Sequence, residues 1–196
     1  MTANRWFNLP DIREKRSTPA AACLPGDSRV FVFGGRGSTS FLASVEFCRL
    51  EADWEEATTT SARIADFWQA AAPMRTARYA PAAKPFRGRI IVAGGWNRQG
   101  SLKVVEMFTP PDASSPLVQW TKLARMKQNR TRFTLLTTAY AIFAFGSASG
   151  TGNSIEMLTP PATSVDSGND LTSWVWSSKD PVETLDRILG AASILL

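Results

Sequence analysis

Apolar and polar positions fall into short runs punctuated by glycine and proline, and the runs recur. Ile90-Ile91-Val92-Ala93 closes on Gly94-Gly95, and similar runs close on Gly34-Gly35 and on Gly146-Ser147. Segments this short and rich in Val, Ile, Phe and Trp read as strands. Four are expected per repeat. Repeat one gives Pro19–Leu24, Arg29–Gly34, Ser44–Leu50 and Asp66–Ala70. Repeat two gives Tyr79–Lys84, Arg89–Gly94, Lys103–Phe108 and Gln119–Leu123. Repeat three gives Phe133–Thr138, Ala141–Gly146, Ser154–Leu158 and Ser173–Ser177. No long stretch sustains a helical period; Glu183 to Leu189 offers one or two turns at most.

Tryptophan sets the phase. The sets Trp6-Ile12-Arg16, Trp68-Met74-Arg78, Trp120-Met126-Arg130 and Trp176-Val182-Arg187 keep the same order, with six residues from Trp to the aliphatic each time. The step to Arg is four in the first three sets and five in the last. Val45-Glu46-Phe47, Val105-Glu106-Met107 and Ile155-Glu156-Met157 follow the Gly-ended runs in the same order. Phe108-Thr109-Pro110-Pro111 and Leu158-Thr159-Pro160-Pro161 extend the likeness. A repeat of this length means a modular array, with function sought in its loops. The resulting division is a remnant at 1–18, repeats at 19–74, 75–128 and 129–182, and an incomplete repeat at 183–196. Repeat one carries an insertion, Glu51 to Ala65, holding Trp54; only Trp68 keeps the step to Met74.

Composition changes this picture in three ways. The chain of 196 residues has no histidine. That removes Ser-His-Asp and Cys-His catalysis and His-bearing zinc sites. Charge is uneven: the net charge is −1 over 1–74, +10 over 75–132 and −4 over 133–196. The middle repeat is therefore expected to steer acidic partners. No apolar h-region opens the chain, and Phe133 to Ala148 is too short and polar for a membrane helix, so a cytoplasmic or nuclear protein without membrane contact is expected. Cys23 and Cys48, each inside a strand-like run, read as small buried hydrophobes rather than a disulfide.

Catalytic motifs are weak. Gly34-Gly35-Arg36-Gly37 and the glycines of 146–152 lack the Gly-Lys-Ser/Thr ending of a phosphate loop. Glu46, Glu106 and Glu156 occupy equivalent strand positions, more consistent with partners between repeats than with a pair of catalytic acids. The sequence pI near 9.6 suggests nucleic acid. Stacking platforms, however, need exposed aromatics beside the basic residues. Most tryptophans here hold repeat-fixed core positions, and only Trp96 falls in a loop, so nucleic acid is not expected.

The Gly-ended strand, the Val-Glu strand, the outer Trp and the following Arg resemble the kelch repeat over nearly the whole chain, closest to the kelch regions of BTB-kelch adaptor proteins. The resemblance implies an all-β fold: a kelch-type β-propeller segment of about three four-stranded antiparallel blades, open, with flanking strands. It implies Trp buried between blades and Arg paired with a Glu or a carbonyl of the next blade. Gly146-Ser147 and the overlong repeat one depart from the pattern. Kelch enzymes use His ligands for copper or iron, so no enzyme activity and no cofactor are expected here. The implied function is protein binding, as the substrate-recognition part of a ubiquitin-ligase adaptor, with actin binding as the alternative. A cullin would be reached only through BTB and BACK regions that this sequence lacks. In such propellers the binding loops correspond to Arg36–Phe41, Trp96–Ser101, Ser147–Asn153, Met74–Arg78 and Met126–Arg132. Arg36, Trp96, Asn97, Arg98, Arg130 and Arg132 are the expected partner-binding residues, suited by charge to acidic segments.

Overall fold

The computed structural model describes residues 8–51, 66–111, 119–146, 154–162 and 170–181. Three antiparallel four-stranded sheets follow one another along the chain. The first runs β1 (Ala20–Cys23), β2 (Arg29–Phe33), β3 (Val45–Arg49) and β4 (Gln69–Ala71), with each strand beside its sequence neighbour. The second opens with β5 (Ala82–Phe86) and β6 (Arg89–Ala93), then inserts a small hairpin, β7 (Trp96–Asn97) with β8 (Gly100–Ser101). It is completed by β9 (Val105–Phe108) and β10 (Trp120–Lys122). The third comprises β11 (Thr134–Thr137), β12 (Ile142–Phe145), β13 (Ile155–Thr159) and β14 (Val175–Lys179). The inner strands stand side by side, β1 against β5 and β5 against β11. None of the sheets closes on itself.

Register recurs from sheet to sheet. Glu46 faces Ala70, Glu106 faces Lys122 and Glu156 faces Ser178. The partner lies two residues after Trp68, Trp120 and Trp176 in each case, so the three indoles hold equivalent places. Trp120 and Trp176 lie within their outer strands, opposite Phe108 and Leu158, while Trp68 directly precedes β4. Each indole N–H donates to a carbonyl near the end of the repeat before: Trp68 to Pro10 at 2.8 Å, Trp120 to Ala72 at 2.8 Å, Trp176 to Ala124 at 2.9 Å. These acceptors follow residues 6, 68 and 120 by the same four positions. The tryptophans thus stitch neighbouring repeats together as well as filling the space between them.

Two apolar layers separate the sheets. Phe31, Phe33, Val45 and Met74 meet Ile90, Val92, Phe108 and Trp120 in the first. Ile91, Ala93, Met107 and Met126 meet Leu135, Ile142, Leu158 and Trp176 in the second. A third, smaller cluster of Val32, Cys48, Phe67 and Trp68 lies on the outer face of the first sheet, partly covered by Ile12. At the opposite end, strand alternation turns Phe143 and Phe145 away from the second layer, and their rings stack half-buried at 5.9 Å.

The innermost strands begin later than their composition predicts. Thr18, Ala80 and Arg132 sit at φ 47°, 50° and 50°, a left-handed step shared by all three repeats. That step breaks the ladder before each inner strand. β5 therefore starts at Ala82 rather than Tyr79, and Tyr79 bonds instead to Trp96 in both directions, at 3.0 and 2.9 Å. The left-handed residues are themselves joined: Ala80 N–H donates to Thr18 C=O at 2.9 Å, and Arg132 N–H to Ala80 C=O at 3.3 Å. The Gly pair has a steric cause. A Cβ on Gly34 or Gly94, both at φ 59°, would lie 2.5 Å from the carbonyl oxygen of Arg78 or Arg130.

Two expectations are corrected. Cys48 is buried, and burial pushes its thiol up from its ordinary value, but Cys23 at the end of β1 is exposed; both are free. A 3-10 turn, Leu171–Ser173, capped by the Asp170 carboxylate, precedes β14 where only a strand was foreseen. The Glu51–Ala65 insertion beyond Glu51, the Ser147–Asn153 loop and the segment after Pro181 lie outside the described residues, as does Trp6.

Candidate functional site

Each repeat places one arginine under its loops, and the sequence period that fixes the tryptophan fixes this side chain too. Arg78 Nη1 donates to Gly94 C=O and Val104 C=O, both at 3.1 Å, and Nη2 to the Glu106 carboxylate. Arg130 repeats the arrangement on Gly146 C=O at 2.7 Å, Ser154 C=O at 3.1 Å and Glu156 at 3.0 Å. Arg16 bonds Gly34 C=O, Ser44 C=O and Glu46 likewise. The acids also accept main-chain N–H groups just after the aliphatic position: Glu46 from Arg13 at 2.9 Å, Glu106 from Arg75 at 2.9 Å, Glu156 from Lys127 at 2.6 Å. Burial pulls the Arg78 and Arg130 guanidinia below their ordinary values, opposed by Glu106 and Glu156. The facing carboxylate favours the charged form of each guanidinium.

This corrects one expected binding residue. Arg130 is fully buried and spent on Glu156 and two carbonyls, so it is a structural clamp and cannot reach a partner. The physical reason is positional: it is the third copy of Arg16 and Arg78, not a loop-tip cation.

The remaining five lie on the loop face. Arg36 is exposed, its backbone bridging Ser17 and Phe41. Trp96 and Asn97 form β7, and Arg98 occupies the two-residue turn of the hairpin, exposed. Trp96 is 37% exposed. Arg132 is exposed beside the left-handed step. Asn97 and Arg98 share a concavity. It is an open groove of about 490 Å³ between the loops of the first and second sheets, lined also by Ser40, Phe41, Arg75, Thr76, Ala77 and Gln99. Arg36, Trp96 and Arg132 are not among its lining.

Arg75 and Phe41 lie within the expected binding loops Met74–Arg78 and Arg36–Phe41 but are not among the individually expected partner-binding residues. Arg75 directly follows Met74, and its Nη2 donates to Trp120 C=O at 3.1 Å, which holds the guanidinium in place. The Phe41 ring stacks on Tyr79 at 5.4 Å and 13°. The signal for Arg75 was available: residues 13, 75 and 127, one after each repeat's aliphatic, are all cationic. Among the described residues no carboxylate lines the groove. Over 75–132 the acidic residues are Glu106, buried against Arg78, and Asp112, outside the described residues.

Among the described residues no cluster of three or more His, Cys, Asp or Glu is placed to hold a metal ion, and no helix is long and apolar enough to cross a membrane. No protein-family model matches the chain, and no curated protein matches it either. What stands is an all-β chain of three repeated antiparallel sheets, each locked to the next by a tryptophan and carrying a buried arginine–glutamate clamp.

Proposed function

We propose that the chain is a protein-binding module: three blades of a kelch-type β-propeller whose inter-strand loops form the recognition face. The single observation that carries this reading is the threefold recurrence, at equivalent register, of outer-strand Trp, Gly-ended second strand and Arg–Glu clamp beneath loops with exposed cations. The clamps hold the loops from below, leaving the side chains above them free to vary. The resemblance to BTB-kelch proteins makes substrate recognition for a ubiquitin ligase the favoured role, with the cullin-binding parts supplied by regions outside this sequence. Such a role belongs in the cytoplasm or nucleus and needs neither cofactor nor catalytic residue.

The test is affinity capture from lysate with the intact chain, followed by reconstitution with each purified candidate. Direct binding of a recovered protein that weakens on raising salt is the expected result, because exposed charges are screened beyond about 8 Å at physiological ionic strength. Co-sedimentation with actin filaments instead would favour the cytoskeletal role. Failure of every candidate to bind directly would overturn the module reading.

A further inference from the structure

The groove between the first two sheets has a composition that narrows its ligand. Two arginines share its walls, Arg75 and Arg98, and among the described residues no carboxylate does. Arg75 is pinned: its main-chain N–H is on Glu106 and one guanidinium N–H is on Trp120 C=O. Arg98 stands in the hairpin turn, and among the described residues its guanidinium has no hydrogen-bond or ion-pair partner. Two like charges facing one concavity repel, and an anion between them relieves the repulsion.

We propose that this groove binds the carboxylate side chains of an extended acidic peptide segment in a protein partner, with Arg75 and Arg98 as the two forks. Arg offers a planar pair of N–H donors that matches a carboxylate bidentately. Ser40, Thr76, Asn97 and Gln99 add hydroxyl and amide groups that both donate and accept, as a peptide backbone requires. Phe41, backed by Tyr79, supplies an apolar wall for the methylenes of a Glu side chain. A volume near 490 Å³ holds a few side chains rather than a run of stacked bases. This deepens the protein-binding reading and rests on it.

The probe is a short fluorescein-labelled peptide of alternating Glu and Ser, titrated with the intact chain at low salt and read by anisotropy. Arg75→Ala/Arg98→Ala is expected to weaken binding by about tenfold or more, since a hydrogen bond to a charged group carries most of such a contact. Lys122→Ala/Arg125→Ala removes the same charge outside the groove and is expected to change affinity less than about threefold, a screened long-range effect. Arg98→Ala alone, whose side chain has no described partner to lose, gives an intermediate loss in a chain whose melting is unchanged. Equal weakening by the two double variants, or no binding by the wild type, would overturn the groove. So would displacement by citrate or by a thymidine oligonucleotide as effective, per negative charge, as that by unlabelled peptide. The two readings fail separately. A groove double variant that still binds every lysate partner at full affinity sinks the groove alone, whereas a wild type that binds no protein sinks the module.

Discussion

The interface between the first and second sheets and that between the second and third share a polar frame but not a filling. In the first, Phe31 and Phe33 of β2 meet Phe108 and Trp120, with ring centroids 5.2 to 6.0 Å apart across the interface. In the second, the residues at the same steps of β6 are Ile91 and Ala93, which meet Leu158 and Trp176. The volume missing at Ala93 is compensated at the margin, where Phe86 packs edge-on against Trp174 at 5.6 Å and Arg87 lies 5.1 Å over the same indole. The indole-to-carbonyl bond, the Gly step and the Arg–Glu ion pair recur in both. Apolar filling is interchangeable so long as volume is kept. Buried charge and donor geometry are not, because an orphaned partner has no solvent to turn to.

The sharpest test of that contrast removes one acid. Glu106→Leu and Glu156→Leu each leave a buried guanidinium without its anion, and each is expected to cost about 3–5 kcal/mol. Urea unfolding should give similar losses for the two; a gap above about 2 kcal/mol would mean the frames are not equivalent. Next comes the tryptophan. Trp120→Ala is expected to cost about 3 kcal/mol or more. Trp176→Ala should cost about 0.5–1.5 kcal/mol less, because only Trp120 sits in an aromatic cluster with two phenylalanines. Equal losses would break the distinction between aromatic and aliphatic filling.

A smaller effect separates the layers by volume. Ile91→Val in the second interface should cost about 1 kcal/mol, typical of a deleted buried methylene. Phe31→Leu in the first should cost more, since it removes ring contacts on both sides of the layer. The smallest effect is expected at the margin of the first interface. Arg29 bonds Asp27 and reaches Pro111 C=O at 3.0 Å, and this pairing holds the Asp27 carboxyl below its usual range. A carboxyl depressed in the fold contributes stability above its unfolded value, about 3.9. That contribution is lost as pH falls from there through the folded value. Asp27→Asn should therefore flatten the acid limb of stability below pH 4 by less than about 1 kcal/mol, as befits a near-surface pair. An unchanged acid limb would show that the pair contributes nothing.

Much of the frame was legible because it depends on residue type at fixed steps. Trp68, Trp120 and Trp176, the Gly pairs and the three glutamates announce themselves by spacing. Their contacts follow once the strands are placed. What escaped was set by backbone conformation rather than chemistry. Thr18, Ala80 and Arg132 share a left-handed step that no common residue type marks, so the inner strands were drawn too early. Arg130 was counted among the surface cations because its loop position outweighed its place in the Trp-Met-Arg series, and the series was right. The groove needed tertiary proximity: Phe41 and Arg98 are 57 positions apart, and no local pattern joins the loops of two repeats. Cys23 was misplaced by a smaller margin, since a strand's last residue turns outward as readily as inward.

The indole bonds give the array a direction. Every acceptor lies in the repeat before its donor, Pro10 for Trp68, Ala72 for Trp120, Ala124 for Trp176. Dependence therefore runs from the end of the chain back toward its beginning. Removing the third sheet leaves Trp120 with its acceptor and with the Phe33 ring that covers it; removing the first strips both away. Arrays in which each unit touches only its neighbours sum local stabilities. In this one the sum is not symmetric. Losing a sheet from the leading end undoes the next one in line, while trimming from the trailing end leaves its predecessor's indole anchored.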